Sequence, residues 1–82
     1  MPQQSTNSLI RAKVLALAEK CGYQDVDILD EDILPETGYL DSQSIIELVI
    51  WIEGEFGIVI DDNEVTIDNL GSIARICAFV SR

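Results

Sequence analysis

Apolar residues recur at helical spacing in three stretches of the chain, and each stretch predicts a helix with one face towards a core. The first follows a polar lead, can be capped by Asn7 or Ser8, and ends at Gly22, which suits the left-handed position after a helix. Its predicted core stripe consists of Ile10, Val14, Leu17 and Cys21. The last stretch, residues 72–81, has a predicted buried stripe of Ile73, Ile76, Cys77 and Val80.

The middle stretch, residues 42–56, has a composition that fits two kinds of element. Its isoleucine, valine and tryptophan residues favour a strand, whereas its length and spacing favour a helix. Ser44 and Glu47 match the S-x-x-E capping box, and Gly57 follows the last turn. We therefore predict a helix, with a core stripe of Ile45, Leu48, Val49, Ile52 and Phe56.

Residues 23–40 form a long connection that contains several aspartates, Pro35 and Gly38. Its apolar residues indicate that it packs over the helices, and we expect a short helical turn within it. The pattern thus predicts an all-α fold of three main helices with one or two short turns. Residues 1–6 are expected to form a flexible N-terminus, and residues 7–82 one helical domain.

Charge limits the classes of partner. The 82 residues include 15 Asp or Glu and 5 Lys or Arg, a net charge of −10. This balance argues against nucleic acid and anionic membranes, and it favours partner proteins with basic docking patches. The longest apolar run, residues 45–52, contains Glu47 and is too short to insert into a membrane. We expect a monomeric protein.

The absence of histidine limits the chemistry. It removes Ser-His and Cys-His catalysis and the commonest general base, so we do not expect an enzyme. Cys21 and Cys77 form no CxxC motif and are expected to be free thiols in the cytoplasm. Residues 25–36 resemble a calcium loop, but Leu29 and Asp30 break its pattern, so no metal site is expected.

Ser42 is the main candidate for chemistry. It follows Asp41 at the predicted start of the middle helix. Its hydroxyl could simply cap the helix, or it could be an attachment point. If Ser44 caps the helix with Glu47, Ser42 remains available at the edge of the loop. Asp41 could merely interact favourably with the helix dipole.

The apolar arc of the middle helix is wider than one core stripe requires, which indicates a docking face. Ile46 and Ile50 lie off the stripe and next to Glu47. The residues predicted for partner docking are Gln43, Ile46, Glu47, Ile50, Trp51 and Glu53.

Two motifs, in this order along the chain, resemble the acyl and peptidyl carrier proteins. The first, at residues 38–49, is Gly-x-x-Asp-Ser followed by an apolar segment with Glu-Leu-Val, and the second, at residues 53–58, is Glu-Gly-Glu-Phe-Gly-Ile. The resemblance covers roughly residues 9–80. It implies a right-handed four-helix bundle whose third helix is short. It also implies that Ser42 carries covalent 4′-phosphopantetheine, transferred from coenzyme A by a phosphopantetheinyl transferase, and that Asp41 assists docking of that enzyme and places Mg²⁺.

The implied function is that of a discrete carrier, which holds acyl or aminoacyl groups as thioesters and delivers them to partner enzymes. Gln43 stands where the family most often has leucine, and Ser44 where it often has an acidic residue. Fatty acid, lipid and specialised metabolite synthesis therefore all remain open. The alternative function is that of an acidic helical interaction module without a prosthetic group, docking through Ile46, Glu47, Ile50 and Trp51.

Overall fold

Helices account for all the regular structure in the computed structural model of the chain, which describes residues 5–81. The all-α bundle predicted from the sequence is confirmed, with α1, α3 and α5 as its main helices. The short elements lie in the two longest connections. In chain order the elements are α1 (Thr6–Lys20), α2 (Leu34–Thr37), α3 (Ser42–Phe56), a 3-10 turn (Asp62–Glu64), α4 (Ile67–Leu70) and α5 (Ile73–Val80).

Helix α1 begins earlier than predicted. Ser5, rather than Asn7 or Ser8, caps it, because the Ser5 hydroxyl accepts a hydrogen bond of 3.1 Å from the Ser8 amide. Thr6 is already helical, and residues 1–4 of the predicted flexible N-terminus lie outside the described residues. Helix α1 ends as predicted before Gly22, whose φ of 97° places it in the left-handed region.

The long first loop is held against the bundle by backbone hydrogen bonds. The Asp30 carbonyl accepts from the Ala74 amide at 2.9 Å, and the Leu34 amide donates to the Gly71 carbonyl at 2.7 Å. Ile28, which precedes Asp30 in the loop, is buried in the core. The loop therefore packs over the helices as predicted, and its expected helical turn is α2.

Helix α3 forms despite its strand-favouring composition because its apolar stripe is buried by the other helices. Leu48 and Ile52 are buried in the core. Gly57, with φ of 64°, ends the helix in the left-handed conformation. The remaining residues of the predicted stripe are half-buried, two of them beside an apolar cavity of about 130 Å³ between α3 and α4: Ile45, Val49 and Phe56.

Helix α5 completes the core against α1. Ile73 and Ile76 are buried as predicted. Cys77 and Val80 are only half-buried, whereas Phe79, which the predicted stripe did not include, is buried. The buried face of α5 is thus rotated towards Phe79, while its start at Ser72 agrees with the prediction, since the Ser72 hydroxyl accepts from the Arg75 amide at 3.1 Å.

Candidate functional site

Asp41 caps the N-terminus of α3. Its Oδ1 accepts a hydrogen bond of 2.8 Å from the Ser44 amide, and its backbone is extended, as in most N-cap residues. The backbone and side-chain hydrogen bonds from Ser44 lower the pKa of the Asp41 carboxyl below its ordinary value. Directly before Ser42, the Asp41 side chain therefore stays ionised to a lower pH than an ordinary aspartate does.

The predicted cap at Ser44 is wrong. Ser44 is the third residue of α3 and is buried, and its Oγ lies 3.1 Å from the Cys21 Sγ at the end of α1. Glu47 does not complete a capping box. Its carboxylate pairs instead with the Lys20 ammonium, with Nζ–O distances of 2.9 and 3.2 Å. These two contacts hold the first turns of α3 against the end of α1.

Ser42 occupies the first helical position of α3, and its side chain is exposed. Because Asp41 supplies the cap, the Ser42 hydroxyl is not needed for the helix. Within residues 5–81 no group is hydrogen-bonded to this hydroxyl. Ser42 is thus accessible at the helix start, although the residue that releases it from capping is Asp41 rather than Ser44.

The segment that leads into Ser42 is anchored on both sides. Gly38, with φ of 77°, ends α2 in the left-handed region and turns the chain towards α3. Leu40 is buried in the core. The rings of Tyr39 and Tyr23 pack with their centroids 5.3 Å apart, which joins this segment to the residues after α1. These contacts hold the segment before Ser42 against the helices.

The six predicted docking residues do not form one exposed face. Gln43, Ile46 and Ile50 are exposed, the two isoleucines by 56% and 62%. Trp51 is half-buried against the core, and its ring meets that of Phe56 edge to face at 5.9 Å. Trp51 therefore has a packing role in the structure.

The two predicted docking carboxylates both have partners inside the protein. Glu47 is paired with Lys20, as described above. Glu53 accepts a hydrogen bond of 2.8 Å from the Ile60 amide and so holds the chain that follows α3. Neither interaction is visible in the sequence pattern, because each joins a residue of α3 to a residue outside that helix.

Sequence reasoning missed a second set of exposed apolar residues after α3. Val59, Val65 and Ile67 are exposed by 83%, 41% and 49%. Val65 and Asp62 face the exposed side of α3 across a shallow groove. The only available signal was the presence of apolar residues on both sides of the acidic turn at residues 61–64.

Residues 5–81 contain no group of three His, Cys, Asp or Glu side chains that could hold a metal ion. Over the same residues no helix is long and apolar enough to cross a bilayer.

The sequence profile of a family described as "Phosphopantetheine attachment site" matches residues 14–80. The chain belongs to this family. It is therefore a carrier domain of the acyl and peptidyl carrier type, and the resemblance noted in the sequence is confirmed. The cofactor of the family is 4′-phosphopantetheine, attached covalently to a serine. No curated protein and no solved structure matches this carrier domain significantly.

Proposed function

We propose that Ser42 is the serine of this carrier that holds 4′-phosphopantetheine. This assignment is supported by the burial of the other serines in the region that matches the family. The matched residues 14–80 contain three serines, of which Ser44 and Ser72 are 5% and 2% exposed and have hydrogen-bond partners. Ser42 is exposed and its hydroxyl has no partner within residues 5–81.

The start of α3 also suits the phosphate of this group. A helix N-terminus carries a partial positive charge and favours a phosphodiester at its first residue. In the loading reaction the Ser42 Oγ forms a bond to the pantetheinyl phosphorus of coenzyme A, adenosine 3′,5′-bisphosphate leaves, and the hydroxyl proton passes to the transferase.

The carrier role requires no catalytic group from this chain. When bound, phosphopantetheine supplies a terminal thiol that holds an acyl or aminoacyl group as a thioester. The protein positions Ser42 and presents a surface to partner enzymes, and a flexible tether raises the effective concentration of the cargo at each of them. The proposed partners belong to fatty acid, lipid or specialised metabolite synthesis.

The proposed setting is the cytoplasm, whose reducing conditions suit the free thiols of Cys21 and Cys77.

Intact-mass spectrometry tests the proposed function. The protein is incubated with coenzyme A and a broad-specificity phosphopantetheinyl transferase. We expect wild type and Ser44→Ala to gain the mass of one phosphopantetheinyl group and Ser42→Ala to gain none. A wild-type protein that gains no mass would favour the alternative of an interaction module without a prosthetic group. The same gain in Ser42→Ala would place the attachment elsewhere.

A further inference from the structure

A pocket of mixed polarity lies where the last turns of α1 meet the start of the long first loop. Its volume is about 360 Å³. Its apolar part consists of Leu15 and Val26, which are half-buried against the core. Tyr23, which is 44% exposed, and the exposed carboxylates of Glu19 and Asp25 complete its lining. We call it the α1–loop pocket.

The two carboxylates of the α1–loop pocket are available to a ligand. Within residues 5–81 neither Glu19 nor Asp25 has a hydrogen-bond or ion-pair partner for its side chain. Lys20, the basic residue next to Glu19 in the chain, pairs instead with Glu47 on α3. Two uncompensated negative charges at one opening favour the binding of a cation.

The rest of the lining favours an organic cation over a metal ion. A hard metal ion requires several oxygen ligands, whereas this pocket offers two carboxylates, and residues 5–81 contain no group of three suitable side chains. An ammonium group on a short aliphatic chain can pair with the carboxylates, place its carbon atoms against Leu15 and Val26, and approach the ring of Tyr23. The chemical class that fits best is therefore a primary alkylammonium group.

The α1–loop pocket adjoins the segment that leads into Ser42. Tyr23 packs on Tyr39 with ring centroids 5.3 Å apart, and Tyr39 precedes Ser42 by three residues. The Tyr39 backbone is therefore within about 11 Å of Ser42. A phosphopantetheine arm is about as long as five extended residues, or about 17 Å, which is long enough to extend past Tyr39 towards the pocket. Because the tether raises the effective concentration of a group at its end, a weak site is sufficient to bind that group.

We propose that the α1–loop pocket binds the ammonium group of an aminoacyl cargo on the arm, with Glu19 and Asp25 as its acceptors. This inference rests on the proposed function, since it takes Ser42 as the attachment site. It adds a choice of cargo to that function, because an aminoacyl group makes contacts in the pocket that an uncharged acyl group of the same size does not make.

Nuclear magnetic resonance of the loaded carrier tests this inference. A broad-specificity phosphopantetheinyl transferase attaches arms that end in an alanyl or an isobutyryl group, each joined by a stable amide bond, from the corresponding coenzyme A analogues. The two groups have the same shape, but isobutyryl has a methyl group where alanyl has its ammonium. We expect the backbone amide resonances of residues 19–26 to differ between the two loaded forms, because the ammonium binds beside them.

Matched variants assign the effect to the two carboxylates. In the double variant Glu19→Gln, Asp25→Asn the difference between the loaded forms should disappear, and the pKa of the alanyl amine should be about 0.7 lower than on wild type, the effect of losing one carboxylate about 4 Å away in water. Asparagine tolerates the left-handed φ of 57° at residue 25, so the loop backbone is retained. Glu31→Gln removes a charge from an exposed site in the same loop but outside the pocket, and it should change neither measurement.

The outcomes separate this inference from the proposed function. Identical resonances of residues 19–26 in the alanyl and isobutyryl forms would refute binding of the amine in the α1–loop pocket, while leaving attachment at Ser42 intact. An equal loss of the difference in Glu31→Gln would refute it as well, because the effect would then reflect the general negative charge of the chain. A wild-type protein that the transferase cannot load would refute the proposed function itself.

Discussion

Substitution of Gly71 by alanine should destabilise the protein through a collision with the preceding turn. An added Cβ would touch the Ile67 carbonyl oxygen and would lie 2.7 Å from the Ile67 Cγ2 and 2.9 Å from its Cα. The contacts with the oxygen and Cα involve backbone, which cannot rotate away. The Gly71 carbonyl also accepts the Leu34 amide, so a shift at Gly71 weakens the attachment of α2.

The magnitude follows from two opposing effects. The φ of −77° at Gly71 is accessible to alanine, so reduced freedom of the unfolded chain alone would stabilise the variant by about 0.4–1 kcal/mol. Overpacking of a tight site costs about 1–3 kcal/mol. From the midpoints of these ranges, about 2 and about 0.7 kcal/mol, we expect Gly71→Ala to lose about 1.3 kcal/mol of unfolding free energy.

Gly54→Ala is the matched control. Gly54 lies inside α3, is exposed, and has no atom within 4 Å of an added Cβ. Alanine there should stabilise the protein by about 0.5–1 kcal/mol. Denaturant unfolding followed by circular dichroism measures the unfolding free energy of both variants. In thermal unfolding, a change of about 1 kcal/mol corresponds to a Tm shift of about 4–8 °C for a domain of this size. A Gly71→Ala protein as stable as Gly54→Ala would refute the collision.

Two further predictions concern the ends of α3. Asp41→Ala should reduce stability, whereas Asp41→Asn should retain most of it, because asparagine caps a helix as well as aspartate does. The pKa of Asp41 is lowered in the folded state, so the stability from its charge is fully present above the ordinary value of 3.8 and is lost as pH falls towards the lowered pKa. Denaturant unfolding of wild type and Asp41→Asn across that pH range measures this contribution as the difference between their unfolding free energies. An advantage of wild type that grew on acidification would contradict the lowered pKa of Asp41. At the other end, Glu53→Ala should cost about 1–2 kcal/mol by leaving the Ile60 amide without its acceptor. In the same unfolding assay the exposed control Glu55→Ala should change stability by less than about 0.5 kcal/mol.

The main helices could be predicted because their apolar spacing is local and strong. Ile10, Val14, Leu48 and Ile52 are buried as their spacing indicated. The choice of cap could not be predicted in the same way. Both Asp41 and Ser44 have side chains that suit a helix N-terminus, and the outcome depends on the contact of Ser44 with Cys21, which is 23 residues away in the chain.

The docking surface was the least predictable feature, for the same reason. The sequence indicates which carboxylates lie on the polar side of α3, but it does not reveal that Lys20 reaches Glu47 or that the Ile60 amide reaches Glu53. It also does not show that the turn at Asp62 faces Ile46 and Ile50. Whether a carboxylate is free to pair with a partner protein depends on tertiary contacts, whereas its position on a helix face follows from the local sequence.

Fragment mass spectrometry of the loaded wild-type protein tests the central claim most directly. After incubation with coenzyme A and the transferase, the peptides that contain residues 42, 44 and 72 are isolated and fragmented. Attachment at Ser42 predicts that the phosphopantetheinyl group is found on Ser42, with Ser44 and Ser72 unmodified. Its location on Ser44, on Ser72 or on any other residue would contradict the account.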